Sequence, residues 1–241
     1  MIIQTIGSGS DGNCYLLKGG SSAYLLLDAG VSFKKMQQAI KFQTSKIKGV
    51  LITHEHLDHA GYIKDYIKNG LDIYMTAGTK KVLQLPDHYR INVIDIKKPF
   101  NIADYKIMAF DTIHDAKQPC GYIIQAGDKK LLYATDTKYI KYKIPNLTHI
   151  MLEANYEYNI LQENVKDDVV NKSLAQRITE NHMSLDTAIE YLRKIDTSKL
   201  ENIIVIHLSK NNAKKGYFKE RLQKEVGTIV KIAADTEEFL I

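Results

Sequence analysis

The sequence has few cysteines and no cysteine pair at metal-binding spacing. Its 241 residues include only Cys14 and Cys120, and neither belongs to a CxxC or CxxxC motif. A chain of this length buries enough surface to fold without a disulfide or a structural metal. We therefore expect two reduced, buried thiols, and neither a disulfide-stabilised small protein nor a thiolate metal site.

Long hydrophobic runs, internal repeats and low-complexity segments are also absent. The apolar runs, such as those at residues 24–27 and 203–206, have the length of a β-strand and are far shorter than a membrane span. No stretch near the first residue combines a basic start with an apolar run in the manner of a signal peptide. The sequence therefore predicts a soluble, cytoplasmic protein that does not enter a membrane.

A strong excess of charge of one sign is missing as well. The 33 basic and 28 acidic residues give a formal net charge of +5. This balance favours an anionic substrate, because a positive field steers polyanions toward a protein. Many of the lysines are expected on solvated helix faces, so charge alone does not establish nucleic-acid binding.

Glycines near the start of the chain have the spacing of a dinucleotide-binding loop. The run GSGSDG at residues 7–12 matches G-x-G-x-x-G, and the acidic Asp28 follows it. That fingerprint requires a helix directly after the glycine turn and a second strand that carries the acid. Residues 13–27 instead read as two short strands around a Gly-Gly-Ser-Ser turn, without room for the helix. The sequence argues against a dinucleotide site and predicts a tight turn.

Hydrophobic periodicity predicts strands and helices over the whole chain. Strands are predicted at residues 2–6, 13–18, 23–28, 49–53, 72–76, 92–96, 105–111, 121–125, 130–134, 150–153, 201–206, 228–233 and 237–241, the last two as a terminal pair. Helices are predicted at residues 32–40 with Ser32 as the N-cap, 59–68, 78–85, 169–195 with a break near 181–184, and 212–226. This order predicts two β-sheets packed face to face with helices outside, a four-layer αββα sandwich. Residues 1–241 are expected to form a single hydrolase domain.

The sequence THEHLDHAG at residues 53–61 concentrates metal-binding side chains: His54, His56, Asp58 and His59. It follows a predicted buried strand and opens a predicted helix, so the loop can turn these side chains inward. Residues two apart at a strand end can point at one ion, while the Asp–His pair on the next turn points at another. Imidazole and carboxylate ligands without thiolate suit zinc, manganese or iron.

Other histidines and acids lie at the ends of predicted elements, where α/β proteins collect their functional groups. His114, Asp136 and His207 follow predicted strands, Glu153 ends one, and His182 lies in the helix break. Two further histidines, His88 and His149, have no such position. We interpret them as surface or structural residues.

With these motifs the sequence resembles the metallo-β-lactamase-fold hydrolases over essentially its whole length, and most closely their YycJ/WalJ/VicX-like exonuclease branch. The matching stretches are GSGSDGNCYLL at the start, THEHLDH, HDA at 114–116, ATDT at 134–137, EAN at 153–155, NHMS at 181–184 and HLSKNN at 207–212. The resemblance implies an αββα sandwich with two divalent ions, zinc or manganese, with iron also compatible. It implies one ion on His54, His56 and His114, a second on Asp58, His59 and His207, and Asp136 bridging them.

The same resemblance implies a phosphodiesterase that acts on nucleic acid, most closely a DNA exonuclease of 5'-to-3' polarity, with RNA the less favoured polymer. A hydroxide between the two ions would attack phosphorus, while Asp58 orients it or accepts its proton. We interpret His182 as the proton donor to the leaving alkoxide and Glu153 as the carboxylate that orients it. This pair is similar to one in the nuclease members of the superfamily.

Two sets of polar residues are candidates for holding phosphates. Ser8, Ser10 and Asn13 accompany the opening glycines, which allow a ligand to approach the backbone closely. Ser209, Lys210, Asn211 and Asn212 precede a predicted helix start. Helix capping by these residues is the alternative interpretation. The alternative functions are a ribonuclease or small phosphodiesterase, or a thioester or lactone hydrolase. A thioester or lactone hydrolase has no need of the Glu–His pair.

Overall fold

The computed structural model describes residues 1–19 and 22–233, together with the backbone of residues 238–240. Its strands are β1 (Ile2–Gly7), β2 (Cys14–Lys18), β3 (Tyr24–Leu27), β4 (Ile47–Leu51), β5 (Ile73–Thr76), β6 (Ile91–Ile94), β7 (Phe100–Ile102), β8 (Tyr105–Asp111), β9 (Cys120–Ala126), β10 (Lys129–Ala134), β11 (His149–Glu153), β12 (Asn202–Ile206), β13 (Ile229–Ile232) and β14 (Glu238–Leu240). Its helices are α1 (Phe33–Ala39), α2 (Leu57–Ala60), α3 (Ile63–Lys68), α4 (Ala77–Val82), α5 (Tyr158–Lys166), α6 (Lys172–Asn181), α7 (Leu185–Lys194) and α8 (Lys215–Val226). Among these helices, none has the length and apolar character needed to cross a bilayer.

The chain divides into two compact units. Unit 1 contains Met1–Asp111, Ala116–Lys129 and the described residues at the end of the chain. Unit 2 contains Thr112–Asp115 and Lys130–Ala233. The expectation that residues 1–241 act as one domain stays a prediction.

Unit 1 contains a seven-stranded sheet in the order β14-β1-β2-β3-β4-β5-β6. The pairs from β14 to β3 are antiparallel, and the pairs from β3 to β6 are parallel. The register of β1 against β2 shifts between Thr5 and Gly7, which lies opposite Cys14. This irregularity opens the turn that holds the glycine run. The same unit contains the antiparallel strands β7, β8 and β9.

The core of unit 1 lies under this sheet and is built from aliphatic residues of its strands and short helices. Ile6, Leu26 and Val50 of the strands are fully buried together with Met36 of α1 and Tyr66 of α3. Ser32 caps α1 by accepting from the N–H of Lys35, as the sequence predicts.

Unit 2 is built around four parallel strands in the order β10-β11-β12-β13. Every residue of β11 and β12 is buried. Near-continuous apolar strands of this kind are typical of parallel sheets that are covered on both faces. Helices α5 to α7 connect β11 to β12, and α8 connects β12 to β13. Because the strands are parallel, their carboxyl ends meet at one edge.

Several predicted elements differ from the structure in their bounds or pairing. The helix predicted at 59–68 is two helices, α2 and α3, and α8 begins at Lys215 rather than at 212. Helix α5 was not predicted, whereas the break near 181–184 is confirmed. The predicted terminal strand pair is wrong, because β13 pairs with β12 and β14 with β1. Residues 237 and 241 of that prediction lie outside the described residues.

Candidate metal centre

The first group of candidate ligands lies in unit 1, between the end of β4 and the first turn of α2. His56 occupies the N-cap position of α2, and its Nδ1 lies 3.1 Å from Nε2 of His54. His59 is fully buried, and its Nε2 lies 3.3 Å from Oδ2 of Asp58. The four ligands that the THEHLDH motif predicts in this unit therefore lie together.

Asp28, which no motif marked as a site residue, orients two of these histidines. Its fully buried carboxylate accepts from the N–H of Thr53 at 2.8 Å and from the Thr53 hydroxyl at 2.9 Å. Its Oδ2 lies 2.8 Å from Nδ1 of His59. Because the Thr53 hydroxyl donates its one hydrogen to Asp28, it accepts from Nδ1 of His54 at 3.0 Å. This network assigns the proton of both imidazoles to Nδ1 and leaves both Nε2 atoms unprotonated, the form that can bind a metal.

Three residues in or next to the two groups share a left-handed backbone conformation within two residues of a strand end. The φ angles are 62° at Asp28, 44° at Asp136 and 52° at His207. Such angles cost a residue other than glycine about 1 kcal/mol or more and are concentrated at functional sites. Asp28, like the other two, lies within two residues of a strand end, and that position was the available sequence signal for it.

Asn13 ties the glycine turn to the histidine loop of unit 1. Its Oδ1 accepts from the N–H of Gly9 at 2.9 Å, and its Nδ2 lies 3.0 Å from Nε2 of His59. Its own N–H donates to the carbonyl oxygen of Asp58 at 2.7 Å. Gly30 lies so close to the same carbonyl oxygen that a Cβ at position 30 would collide with it. The turn is therefore held against the backbone of the metal-binding motif.

The second group lies in unit 2, at the carboxyl edge of its parallel sheet. Asp136 and His207 follow β10 and β12, Glu153 is the last residue of β11, and His182 caps the end of α6. Nδ1 of His182 lies 2.6 Å from Oε1 of Glu153 and 3.2 Å from Oδ1 of Asp136. Nε2 of His207 lies 3.7 Å from the same Oδ1. These four side chains each offer a ligand atom, all within 4.8 Å of one another.

Glu153 and His182 form an ion pair in unit 2, in which Glu153 is fully buried and His182 is partly buried. Burial by itself would raise the pKa of Glu153, but the charge of His182 and hydrogen bonds from His182 and His207 outweigh burial and lower that pKa. Burial would lower the pKa of His182, but the charge and hydrogen bond of Glu153, with Asp136, outweigh it and raise that pKa. Oε2 of Glu153 accepts from the N–H of Thr137 at 3.0 Å, which fixes the carboxylate. Electrostatics therefore favour a protonated, oriented imidazole.

His114 and His207 are each held by a neighbour in unit 2. Nδ1 of His114 lies 3.1 Å from the carbonyl oxygen of Asn181, which only a protonated Nδ1 can approach favourably. Burial lowers the pKa of His114, and this favours the neutral form that binds metals. Nδ2 of Asn155 donates to the carbonyl oxygen of His207 at 2.9 Å and lies 3.2 Å from its Nδ1. No motif assigned a role to Asn155, although it belongs to the EAN stretch.

The candidate phosphate-binding residues differ in their exposure to solvent and in the hydrogen bonds of their side chains. Ser10, Lys210 and Asn211 are exposed. The remaining four take part in hydrogen bonds within their own unit: Ser8, Asn13, Ser209 and Asn212. Phosphate contact by all seven stays a prediction.

The donor chemistry of both groups fits divalent metal ions. In unit 1, two imidazoles hold their protons on Nδ1 through oxygen partners, the arrangement that prepares Nε2 for a metal. In unit 2, two carboxylates and two imidazoles converge within coordination range of one another. Nitrogen and oxygen donors of this kind suit zinc, manganese or iron.

Comparison with known proteins identifies the family to which the chain belongs. The family model described as "Beta-lactamase superfamily domain" matches residues 23–208. The exodeoxyribonuclease WalJ of Streptococcus pneumoniae is 30% identical over 223 residues, which cover 86% of this chain and 81% of that protein. The exodeoxyribonuclease YycJ of Bacillus anthracis is 27% identical over 224 residues, which cover 87% of this chain and 83% of that protein.

A solved structure shares the fold of the chain. The metallo-beta-lactamase fold protein YhfI of Bacillus subtilis superposes with a TM-score of 0.77 and 18% sequence identity. The superposition covers 99% of this chain and 98% of that one. The predicted fold class, a mixed α/β protein of the metallo-β-lactamase fold, is confirmed.

Proposed function

This chain belongs to the beta-lactamase superfamily, a family of metallo-β-lactamase-fold hydrolases, and from that premise we propose that it is a metal-dependent nuclease that cleaves DNA. The relatives from Streptococcus pneumoniae and Bacillus anthracis, both named exodeoxyribonucleases, support DNA as the polymer and exonucleolytic action. The 5'-to-3' direction, a cytoplasmic location and the action of residues 1–241 as one domain belong to the same proposal.

We propose that two divalent ions are held by the seven ligands that the family resemblance implies. They are His54, His56, Asp58, His59, His114, Asp136 and His207. The hydrogen bonds that assign the Nδ1 protons of His54 and His59 support this role, because they prepare Nε2 for metal binding. When bound, such ions supply a nucleophile at neutral pH and neutralise charge on the phosphodiester.

The observation that carries the nuclease proposal is the 2.6 Å contact between His182 and Glu153. Cleavage of a phosphodiester releases an alkoxide, which needs a proton, whereas thioester hydrolysis releases a thiolate, which leaves readily without one. The carboxylate of Glu153 raises the pKa of His182, which favours its protonated form, and the side chain is only partly buried, so it can reach a leaving oxygen. Asp58 orients the nucleophile or accepts its proton. Ser8, Ser10, Asn13, Ser209, Lys210, Asn211 and Asn212 are the proposed phosphate contacts.

The proposal is tested with purified protein reconstituted with manganese or zinc. DNA labelled at its 5' or its 3' end, in single- and double-stranded form, should be degraded from the 5' end, and chelation with EDTA should abolish the degradation. RNA of the same sequence and a thioester serve as competing substrates. Intact DNA together with rapid thioester hydrolysis would exclude the nuclease, and faster cleavage of RNA would favour a ribonuclease.

A matched pair of histidine variants separates the catalytic group from general effects. His182→Ala should lower turnover of DNA by about 10²–10⁴-fold, the usual contribution of a positioned proton donor. His88→Ala removes an exposed histidine that hydrogen-bonds only to a neighbouring backbone N–H, and should leave turnover unchanged. Equal turnover in both variants, at equal metal content by elemental analysis, would remove His182 from the mechanism.

A further inference from the structure

A basic and aromatic segment follows Asp136 along the chain. Residues 138–143 read KYIKYK, and no aspartate or glutamate occurs between Asp136 and Glu153. None of these six residues lies in a helix or strand. Lysines that alternate with aromatic rings are typical of surfaces that bind single-stranded nucleic acid, where bases stack on the rings and phosphates meet the cations.

The N-terminal end of segment 138–143 is fixed to the carboxyl edge of the parallel sheet of unit 2, where Glu153 and His182 lie. The N–H of Thr137 donates to Oε2 of Glu153 at 3.0 Å, and the Thr137 hydroxyl donates to the carbonyl oxygen of Tyr139 at 2.9 Å. The N–H of Lys138 donates to the carbonyl oxygen of Ile113 at 3.0 Å. The segment therefore starts at the residue after Thr137, whose N–H binds the carboxylate that orients His182.

The other end of the segment is fixed as well. Ile144 is buried, and Nζ of Lys130 donates to the carbonyl oxygen of Pro145 at 3.0 Å. Leu147, three residues after Ile144, is fully buried. The segment is thus an irregular strap held at both ends, and its exposed side chains are presented on a fixed backbone.

Three side chains of this strap, those of Lys138, Tyr139 and Lys143, are available to a ligand. Tyr139 is 46% exposed, which leaves much of its ring in contact with solvent. Lys138 and Lys143 are exposed, and neither forms an ion pair with a carboxylate in the part of the chain that the structure describes. Neither the packing nor the charge pairing of unit 2 accounts for these three residues.

We propose that segment 138–143 is a strand-binding surface for the single-stranded DNA that extends from the catalytic residues. Tyr139 stacks on a base, and Lys138 and Lys143 contact phosphates. This proposal rests on the nuclease function proposed above and adds a path for the substrate strand. Six extended residues span at most about 20 Å, so the surface serves a few nucleotides next to the cleaved bond.

The expected effects follow from the two kinds of contact. Loss of two phosphate contacts should reduce the slope of log affinity against log salt concentration by about 1.4, because each contact to a single strand contributes about 0.7. Loss of a stacked base at Tyr139 should weaken binding about 5- to 150-fold. Neither change should affect a substrate too small to reach the segment.

The test compares Lys138→Ala/Lys143→Ala with the control Lys219→Ala/Lys224→Ala, which removes the same charge from exposed positions of α8. Affinity for a fluorescent single-stranded oligonucleotide is measured over a salt series in EDTA. Turnover of bis(p-nitrophenyl) phosphate is measured with metal. We expect a reduced salt slope only in the first variant and equal turnover of the small ester in both. Equal salt slopes for the two variants would overturn the proposal.

Tyrosine variants test the stacking contact independently of the lysine variants. Tyr139→Ala should weaken oligonucleotide binding, Tyr139→Phe should retain it, and Tyr158→Ala on α5 serves as an exposed aromatic control. Thermal melting checks that each variant is folded. Wild-type protein that cleaves neither DNA nor the small ester contradicts the nuclease function itself. Wild-type protein that cleaves both, with Tyr139→Ala binding as tightly as Tyr158→Ala, overturns only the strand-binding surface.

Discussion

Replacing Asp28 by asparagine should separate the folding role of this residue from its role in metal binding. Asparagine keeps one carbonyl oxygen that can accept from the N–H and hydroxyl of Thr53, but it places an N–H opposite Nδ1 of His59. The imidazole must then move its proton to Nε2, and the nitrogen that should bind a metal is lost. The φ of 62° at position 28 suits asparagine, so the substitution adds no backbone strain.

The magnitudes distinguish this variant from an alanine variant. Asp28→Asn loses one charge-assisted hydrogen bond, which should cost about 1.5–3 kcal/mol of unfolding free energy in the metal-free protein. Its metal affinity should fall about 10- to 100-fold, as for other carboxylates that orient a ligand histidine. Asp28→Ala leaves at least two buried donors unsatisfied and should cost about 2–6 kcal/mol, a large part of a typical domain's stability.

Urea unfolding in EDTA measures the stability, and competition with a chromophoric zinc chelator measures the affinity. Asp65→Asn changes an exposed carboxylate on α3 and is the matched control. Asp28→Asn protein with the zinc affinity of this control would refute the argument that Asp28 sets the proton position on His59.

Three further predictions follow from buried groups. Glu153→Gln should lower DNA turnover by about 10²–10⁴-fold at full metal content in single-turnover assays, because the neutral amide no longer stabilises the protonated imidazole; turnover within threefold of wild type would contradict this. Burial raises the pKa of both Cys14 and Cys120 to about 12, so iodoacetamide should label neither in the native protein and both in urea, as read by mass spectrometry. Gly30→Ala should lower the melting temperature sharply because its Cβ would strike a backbone carbonyl, whereas Gly216→Ala, with nothing within 4 Å, should raise stability by about 0.5–1 kcal/mol.

Features encoded within a few neighbouring residues were predictable from the sequence. The Ser32 cap of α1 depends on short-range geometry and is confirmed in the structure. The four metal-capable side chains of THEHLDH also lie close together, for the same reason, and their role as ligands stays a prediction. The end of β11 at Glu153 and the helix break at His182 were also predictable. Their contact at 2.6 Å was expected from a family resemblance, since residues 29 positions apart carry no distance information by themselves.

Features that depend on contacts between distant segments were not predictable. The last strands of the chain share a similar apolar pattern, yet one extends the parallel strands of unit 2 and the other pairs with β1. Asp28 was noticed only as part of a dinucleotide fingerprint that does not apply. Its role depends on three hydrogen bonds to residues about 25 to 31 positions later, which only the folded chain brings together.

The different spacing of the two ligand groups has a consequence for how metal acts on folding. The four candidate ligands of unit 1 lie within six consecutive positions, so an unfolded chain already carries several donors for one ion. The ligands of unit 2 come from strands whose parallel pairing must close long loops before Asp136 and His207 meet. On the metal assignment proposed above, we expect metal to bind the unfolded chain too, so that added zinc raises the melting temperature less than its native-state affinity implies.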